Sequence, residues 1–482
     1  MMALQCGLWT LALLLGQEGG WGPAVQVSHS TRSALAPTMD LDGGRNIHAA
    51  WTDTRTPLET DIYYALLDST GSIIYSERPI GRPPAGGQFL AVSPAGRAQV
   101  VFGSSASSSP EIWYVQVQDG AVVLGPQLLT FTGGTRASRG GTLALDPSEN
   151  AHIVFYSDRD WVGGDEVYYK KVDISGAWLV GDTRVTTDPS LSWDPRFARD
   201  SMGDLHVVWT DFRDIAGTDH GEVYYTRLDS SGNKLLTEFR LTDTPRDSSV
   251  PRVAVNALDQ VHVVWRDKRD GRYQVYYSKL DRLGNVLVDQ VRVSSGIPRS
   301  EAADVAVDSH GHVHLAWHDR RHGREEIYYA RLDHQGNLLG PEERVTESPD
   351  FAMFPDLAVD PDNHVHVCWQ EGPAGLENIF YCRRTNGAPA ILSKPPRLAR
   401  AGQPYVHTVQ AADPEQDPLS FSLAKGPPGM TLDPDTGQLV WVPPAMAQPL
   451  SPSLQFPQFE VVLEVSDGVR VTRQEVTVAL LP

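Results

Sequence analysis

One pattern governs what this chain can become: an apolar residue, His, two apolar residues and Trp, then Asp-x-Arg, then a β-branched residue and Tyr-Tyr. The Trp position is filled by Trp51, Phe102, Phe155, Trp209, Trp265, Trp317 and Trp369, at intervals of 51, 53, 54, 56, 52 and 52 residues. A unit of that length cannot bury its own apolar face. The units must stack on one another.

The sixth unit shows how each is built. Asp304–Val307 is apolar and β-rich, Asp308-Ser309-His310-Gly311 supplies a turn, and His312–Trp317 alternates as a second strand. After the loop Asp319-Arg320-Arg321-His322-Gly323, the third strand Glu326–Leu332 leads through Asp333-His334-Gln335-Gly336 to a fourth that begins at Arg344-Val345-Thr346. The Asp-x-x-Gly turn recurs from Asp68, Asp173, Asp229, Asp281 and Asp333, its Gly free to take positive φ. Four short antiparallel strands per fifty residues is the spacing of propeller blades, with a solenoid as the alternative. Val25-Gln26-Val27-Ser28 resembles the fourth-strand motif yet precedes the first unit, and the seventh unit lacks that strand after Tyr381. The predicted fold is all-β: a seven-bladed propeller of four-stranded blades over residues 25–385, closed by its N-terminal strand, which removes an open edge.

Some blades depart from the pattern. Blade 2 carries Gln99-Val100-Val101-Phe102 and a Ser-rich loop, blade 3 has Ser157 where Asp would stand, and blade 7 has Gln370-Glu371-Gly372. A binding site breaks symmetry, but so does drift in a repeat, and drift is the expectation here.

The recurring polar residues read as architecture. His48, His152, His206, His262, His314 and His366 lie on the second strands of different blades, so they spread around the ring instead of converging on one metal ion. Asp53/Arg55, Asp211/Arg213, Asp267/Arg269 and Asp319/Arg321 can brace the following loop. An active site is needed once and uses unlike residues. The pairs Tyr63/Tyr64, Tyr168/Tyr169, Tyr224/Tyr225, Tyr276/Tyr277 and Tyr328/Tyr329 put one ring on each strand face. They suit packing between blades, with a carbohydrate surface as the other option.

With this pattern, residues 25–385 resemble the secreted propellers of the sialidase-like superfamily. The resemblance is architectural. Sialidases carry Ser-x-Asp-x-Gly-x-x-Trp boxes, whereas Asp308-Ser309-His310-Gly311 runs to Trp317 at another spacing, and their arginine triad with a Tyr/Glu pair cannot be assembled from unique residues. Sialidase activity is therefore not carried over.

After Asn386-Gly387-Ala388-Pro389 the repeat stops. Residues 386–482 alternate, with turn signals at short intervals, as in a β-sandwich. Ala401-Gly402-Gln403-Pro404-Tyr405, the run Ala412–Leu423, the run Pro428–Pro443 and Val465-Ser466-Asp467-Gly468 resemble the Ig-like domains related to the dystroglycan-type cadherin-like domains. That resemblance implies an adhesion or spacer module, in many relatives with Ca2+ near the Asp-rich turn. Asp413, Glu415, Asp417 and Asp467 supply oxygen ligands of suitable hardness, so Ca2+ is the one cofactor expected. Glu415 stands where Asp is more familiar.

The net charge of −19 is wrong for a chain whose partner is nucleic acid. An apolar run from Leu8 to Leu15, followed by small residues, reads as an export signal over residues 1–24; it lacks a basic start, the first Lys or Arg being Arg32. No other segment is apolar enough for a membrane anchor, and the expected location is extracellular, secreted or at the cell surface. Cys368 and Cys382 lie symmetrically about Gly375. They are candidates for a cross-strand disulfide, with two buried thiols as the alternative. An enzyme needs two or three unlike titratable groups converging in one pocket, and no such set is legible. The leading expectation is thus a non-catalytic binding or adhesion protein whose loop face takes a glycan or an extracellular protein. The alternative is a glycan-active enzyme, a sialidase-like hydrolase or a lyase, with its site at the propeller mouth.

Overall fold

Each of the first six repeats folds into four antiparallel strands bonded in chain order, and the seventh into three, as the alternation demands. The computed structural model describes residues 20–482 other than 57–58, 82–83, 108, 135, 161–163, 215–219, 297–298 and 446–455. The export signal expected over residues 1–24 falls largely on residues 1–19, outside the described residues. Blade 4 is representative, with strands Ser192–Arg199, Leu205–Asp211, Glu222–Leu228 and Lys234–Arg240. First strands of successive blades are neighbours, so they surround the axis. Second strands are buried on both faces, and fourth strands face solvent.

The repeated residues hold each blade together and join it to the next. His206 Nδ1 lies 2.7 Å from the hydroxyl of Tyr225, and the same bond recurs from His48 to Tyr64, His152 to Tyr169, His262 to Tyr277, His314 to Tyr329 and His366 to Tyr381. In blade 2 Gln99 takes the Tyr114 hydroxyl instead. Burial pushes His152 and His206 down to about 4 and His262 to about 3, so these rings are neutral supports. The other Tyr of each pair stacks on the Trp, as Tyr224 does on Trp209 at 5.8 Å, and carries the loop arginine, Arg213 at 4.5 Å. Asp211 binds that arginine and the Trp209 indole, so the Asp-x-Arg pairs brace the loop. Each propeller core cluster mixes residues of two adjacent blades, Trp317 with Tyr277 for example, which is why the blades cannot stand singly.

The ring closes as the sequence predicts. Val25 and Gln26 pair antiparallel with Tyr381 and Phe380 of the strand Asn378–Thr385, and Val27 joins a core shared by blades 7 and 1. Solenoid stacking is excluded by that pairing.

Every first strand carries a bulge near its start, with positive φ at Ala36, Gly87, Gly140, Asp194, Val250, Ala302 and Phe354. Val250, at φ 57°, is the costliest of these because a β-branched side chain fits the left-handed region poorly. Val250→Gly should stabilise the propeller by about 1 kcal/mol; an unchanged or lower denaturation midpoint would show that the valine side chain contributes more than the backbone loses.

Residues 384–482 form the body of the second compact unit. A four-stranded sheet runs in the order Leu398–Arg400, Val471–Leu481, Gln458–Ser466, Ser420–Lys425, its first pair parallel. A three-stranded sheet orders Tyr405–Thr408, Gln438–Trp441 and Thr431–Leu432. Between them Trp441, Leu439, Val461, Leu463, Val465, Val478 and Leu480 make the core of a β-sandwich.

The cross-strand disulfide is not formed: Cys368 and Cys382 are both free and buried. Trp369 stacks on Phe380, which sets Cys368 against Tyr381 and leaves Cys382 one residue further on, facing the other side of the sheet. Burial raises both thiols above their ordinary pKa, so they behave as small apolar side chains.

Candidate active site at the propeller mouth

The start of each first strand pairs with the end of the second, so one pair of residues per blade marks the same end of the channel. Around the ring these pairs are Leu35/Thr52, Gly86/Gly103, Arg139/Tyr156, Trp193/Thr210, Ser249/Arg266, Glu301/His318 and Met353/Gln370. Blades 1, 2 and 7 present neutral residues there. Blades 3 to 6 contribute charged and aromatic ones, so the sevenfold repeat is broken on one side of the mouth.

In blade 3 Arg139 Nη1 lies 3.3 Å from Asp165 Oδ1. Burial raises the Asp165 carboxyl above its ordinary pKa, against the pull of Arg139. The Tyr156 phenol is also raised, by burial and then by the charges of Asp165 and Asp194, so those three groups share one neighbourhood. Gly140, at φ 58°, makes room for them, since a Cβ there would run into the Tyr156 ring.

One step deeper, the seven equivalent residues are Thr38, Phe89, Thr142, Arg196, Arg252, Asp304 and Asp356. Arg196 is nearly buried, pairs with Asp194 at 2.9 Å and lies 4.2 Å over the Phe89 ring, while its Nε has no hydrogen-bond partner. Burial and the neighbouring Arg252 push it down to about 10. Arg252 Nη1 is 3.6 Å from the other oxygen of Asp194, so two guanidiniums share one carboxylate. Opposite in sign, Asp304 and Asp356 lace blades together: Asp304 accepts the Leu357 amide at 2.9 Å, and Asp356 that of Met39 at 2.6 Å. Burial and the charge of Asp304 raise Asp356 well above the carboxylate range.

Blades 5 and 6 add a second charged network. Arg266 lies 4.5 Å over Tyr273 and 3.4 Å from Glu301, Arg299 bridges Glu301 and Glu325 at 3.3 Å each, and Arg320 binds Glu325 at 2.7 Å. Burial pushes His318 down to about 3; the ring accepts the Phe354 amide and meets the Phe354 ring edge-on. A depression is lined by Asp270, Arg272 and Arg292, and Asp270 and Arg292 there pair with each other at 3.2 Å.

Of the mouth residues, the sequence singles out Gln370 alone, as part of the departure in blade 7. The residues expected to bind Ca2+ lie in the second unit. Asp413 Oδ1 accepts the amides of Glu415 at 2.8 Å and Asp417 at 3.0 Å, and burial followed by the charges of Asp417 and Glu415 raises Asp413 to about 7. Asp413 Oδ2 and Asp467 Oδ2 are buried without a hydrogen-bond partner. Glu415, expected as a ligand, binds Arg384 at 3.1 Å and the Gly387 amide at 2.9 Å.

No family model and no curated protein matches the chain. Solved structures do resemble it. An α-L-arabinanase of Penicillium chrysogenum complexed with arabinobiose is 12% identical, over 65% of this chain and 98% of that one, with a TM-score of 0.46. An ulvan lyase bound to a glucuronic acid–rhamnose 3-sulfate unit is 11% identical over 76% and 93%, with a TM-score of 0.49. The NanB sialidase of Streptococcus pneumoniae is 9% identical over 76% and 71%, with a TM-score of 0.44. The likeness is one of fold: this chain is a β-propeller of the kind these proteins share.

The expectation of a non-catalytic binding or adhesion protein is corrected. The arabinanase, the sialidase and the ulvan lyase named above fit the glycan-active alternative better than that expectation. Unlike titratable groups sit at the mouth: Arg139 pairs with Asp165 and lies across from Tyr156, and Arg196 pairs with Asp194. Among the described residues no helix is long and apolar enough to cross a membrane.

Proposed function

We propose that this is an exported glycan-active enzyme that cleaves glycosidic bonds at the propeller mouth. The observation that carries this reading is the cluster in blades 3 to 5, where Arg139 pairs with Asp165 across from Tyr156 and two guanidiniums, Arg196 and Arg252, share Asp194. Asp165 is the proton donor to the leaving oxygen, because its raised pKa keeps it protonated over a wider range than an ordinary carboxyl. Tyr156 lies across from Arg139 on the paired strand. Arg196 and Arg252 outnumber Asp194 and leave a positive charge for an acidic group on the sugar.

The test is incubation of residues 25–482 with a panel of neutral and acidic glycans, with products identified by mass spectrometry. Cleaved acidic glycans are expected, with hydrolysis and elimination told apart by the mass of the products. Intact glycans throughout would remove the reading.

The C-terminal sandwich we read as an Ig-like, cadherin-like module that spaces or attaches the propeller outside the cell and holds Ca2+ through Asp413, Asp417 and Asp467. The buried, unbonded oxygens of Asp413 and Asp467 fit a cation, and burial followed by the charges of Asp417 and Glu415 raises Asp413 to about 7. Glu415 is engaged with Arg384. At the millimolar affinities of extracellular modules, 1 mM Ca2+ should add about 0.5–1.5 kcal/mol, a few degrees in the melting of this module. Asp413→Asn should abolish that shift while stabilising the Ca2+-free module at pH 8, where the crowded carboxylate is charged. A melting curve indifferent to Ca2+ in the unmutated chain would exclude the site.

A further inference from the structure

We propose a transition-metal site in blade 6 formed by Asp308, His310 and His312, at the end of the blade away from the mouth and independent of the activity read there. These residues sit in the loop between the first and second strands, which is built alike in most blades. A leading carboxylate or amide accepts the backbone amides two and four residues on, as Asp146 does from Ser148 at 2.9 Å and Asn150 at 3.0 Å, and as Asp308 does from His310 at 2.9 Å and His312 at 2.8 Å. Where Asn follows at the fourth position, its side chain closes on the second oxygen: Asn46 on Asp42 at 2.8 Å, Asn150 on Asp146 at 2.9 Å.

Blade 6 keeps that frame and changes its chemistry. His312 occupies the Asn position with Nδ1 3.1 Å from Asp308 Oδ2, so the packing role is preserved by a side chain that can also ligate a metal. His310 stands where blades 1, 3, 4 and 5 have Gly44, Ser148, Met202 and Leu258, none of them a ligand of this kind. The His310 and His312 rings are 5.9 Å apart. One ligand atom from each of Asp308, His310 and His312 lies within 4.8 Å of the others, and among the described residues no other trio of His, Cys, Asp or Glu does so. Small side-chain rotations bring such a set onto an ion that needs about 2.0–2.2 Å to each donor.

The surroundings support a cation. Asp308 is buried, and His312 Nδ1 and His314 Nε2 each lie 3.1 Å from its Oδ2. His314 Nε2 lies 3.1 Å from the same oxygen while its Nδ1 meets Tyr329, which fixes the direction of the carboxylate as partners behind metal ligands do. Two imidazoles and one carboxylate suit Zn2+, Cu2+ or Ni2+ and not Ca2+ or Mg2+. Three protein ligands leave one position for water or for a donor from another molecule.

The experiment titrates Zn2+ into the full chain by calorimetry, with Ca2+ present in excess to fill oxygen-only sites, and repeats it with Co2+ followed by its visible absorption. One equivalent is expected, with binding weakened at least about tenfold in His310→Ala and in His312→Asn. His312→Asn restores the residue that blades 1 and 3 carry, so folding is retained and a loss of binding reports the ligand. Absence of saturable uptake by the unmutated chain, or uptake equal in both variants, would overturn the site.

Discussion

Asp165→Asn should lower the turnover of an acidic glycan by about 10²–10⁴-fold, the usual worth of a positioned proton donor, with KM little changed. The sign of the pH dependence follows from the raised carboxyl. A donor must be protonated, so the rate of the unmutated enzyme falls as pH rises through the Asp165 pKa, and the Asn variant loses that limb. Arg196→Ala should separate binding from chemistry: with the guanidinium proposed to hold an acidic group of the sugar removed, KM is expected to rise first. Tyr156→Phe keeps the ring against Gly140 and removes only the hydroxyl. If Asp165→Asn keeps full turnover while glycans are still cleaved, the site lies elsewhere on the mouth, with the Glu301–Arg299–Glu325 network next to be tested.

A different residue type should govern stability. Asp211→Ala is expected to cost about 3–5 kcal/mol, measured by guanidinium unfolding with Trp fluorescence, because it breaks a buried ion pair from one side. Asp211 accepts from the Trp209 indole at 2.7 Å, from Ser192 Oγ at 3.0 Å and from Arg213 at three nitrogens, at 2.9, 2.9 and 2.7 Å. Its side chain is 0% exposed and that of Arg213 17%, so the guanidinium, left with Glu238 at 2.7 Å as its one carboxylate, cannot turn fully to water. Asp267→Ala should cost a similar amount, since Asp267 repeats these bonds to Trp265, Ser248 and Arg269 in blade 5. Equal losses in different blades are the sign of architecture. A loss below about 1 kcal/mol at both positions would mean that the loop is held by the stacked tyrosines instead.

The contrast between those two residues explains what could be read in the sequence. Asp211, Trp209, His206 and Tyr225 recur at fixed spacing because each does the same work in several blades, and seven approximate copies carry the fold. The closing strand at Val25 was legible for the same reason, as a copy out of place. Arg139, Tyr156, Asp165 and Arg196 belong to no repeat. They come from two blades, 57 residues apart at the extremes, and only the bulged first strands turn them to one mouth. Departures such as Ser157 in blade 3 were legible but were assigned to drift, although Tyr156 lies one residue before it. The disulfide failed by one residue of register, which spacing about Gly375 could not resolve.

The pairing of Val25–Gln26 with Tyr381–Phe380 also sets the order of events as the chain is made. Blade 7 draws its outer strand from the first part of the propeller to be synthesised and its inner three from the last. Blades 1 to 6 have all four of their own strands in sequence and can form as they emerge, whereas the last blade waits until some 350 residues separate the two partners it must join. Ring closure is therefore the step of longest loop and latest availability. Until it happens, the half-built propeller has two unsatisfied edges, and these are the places where another copy or a chaperone would meet it first.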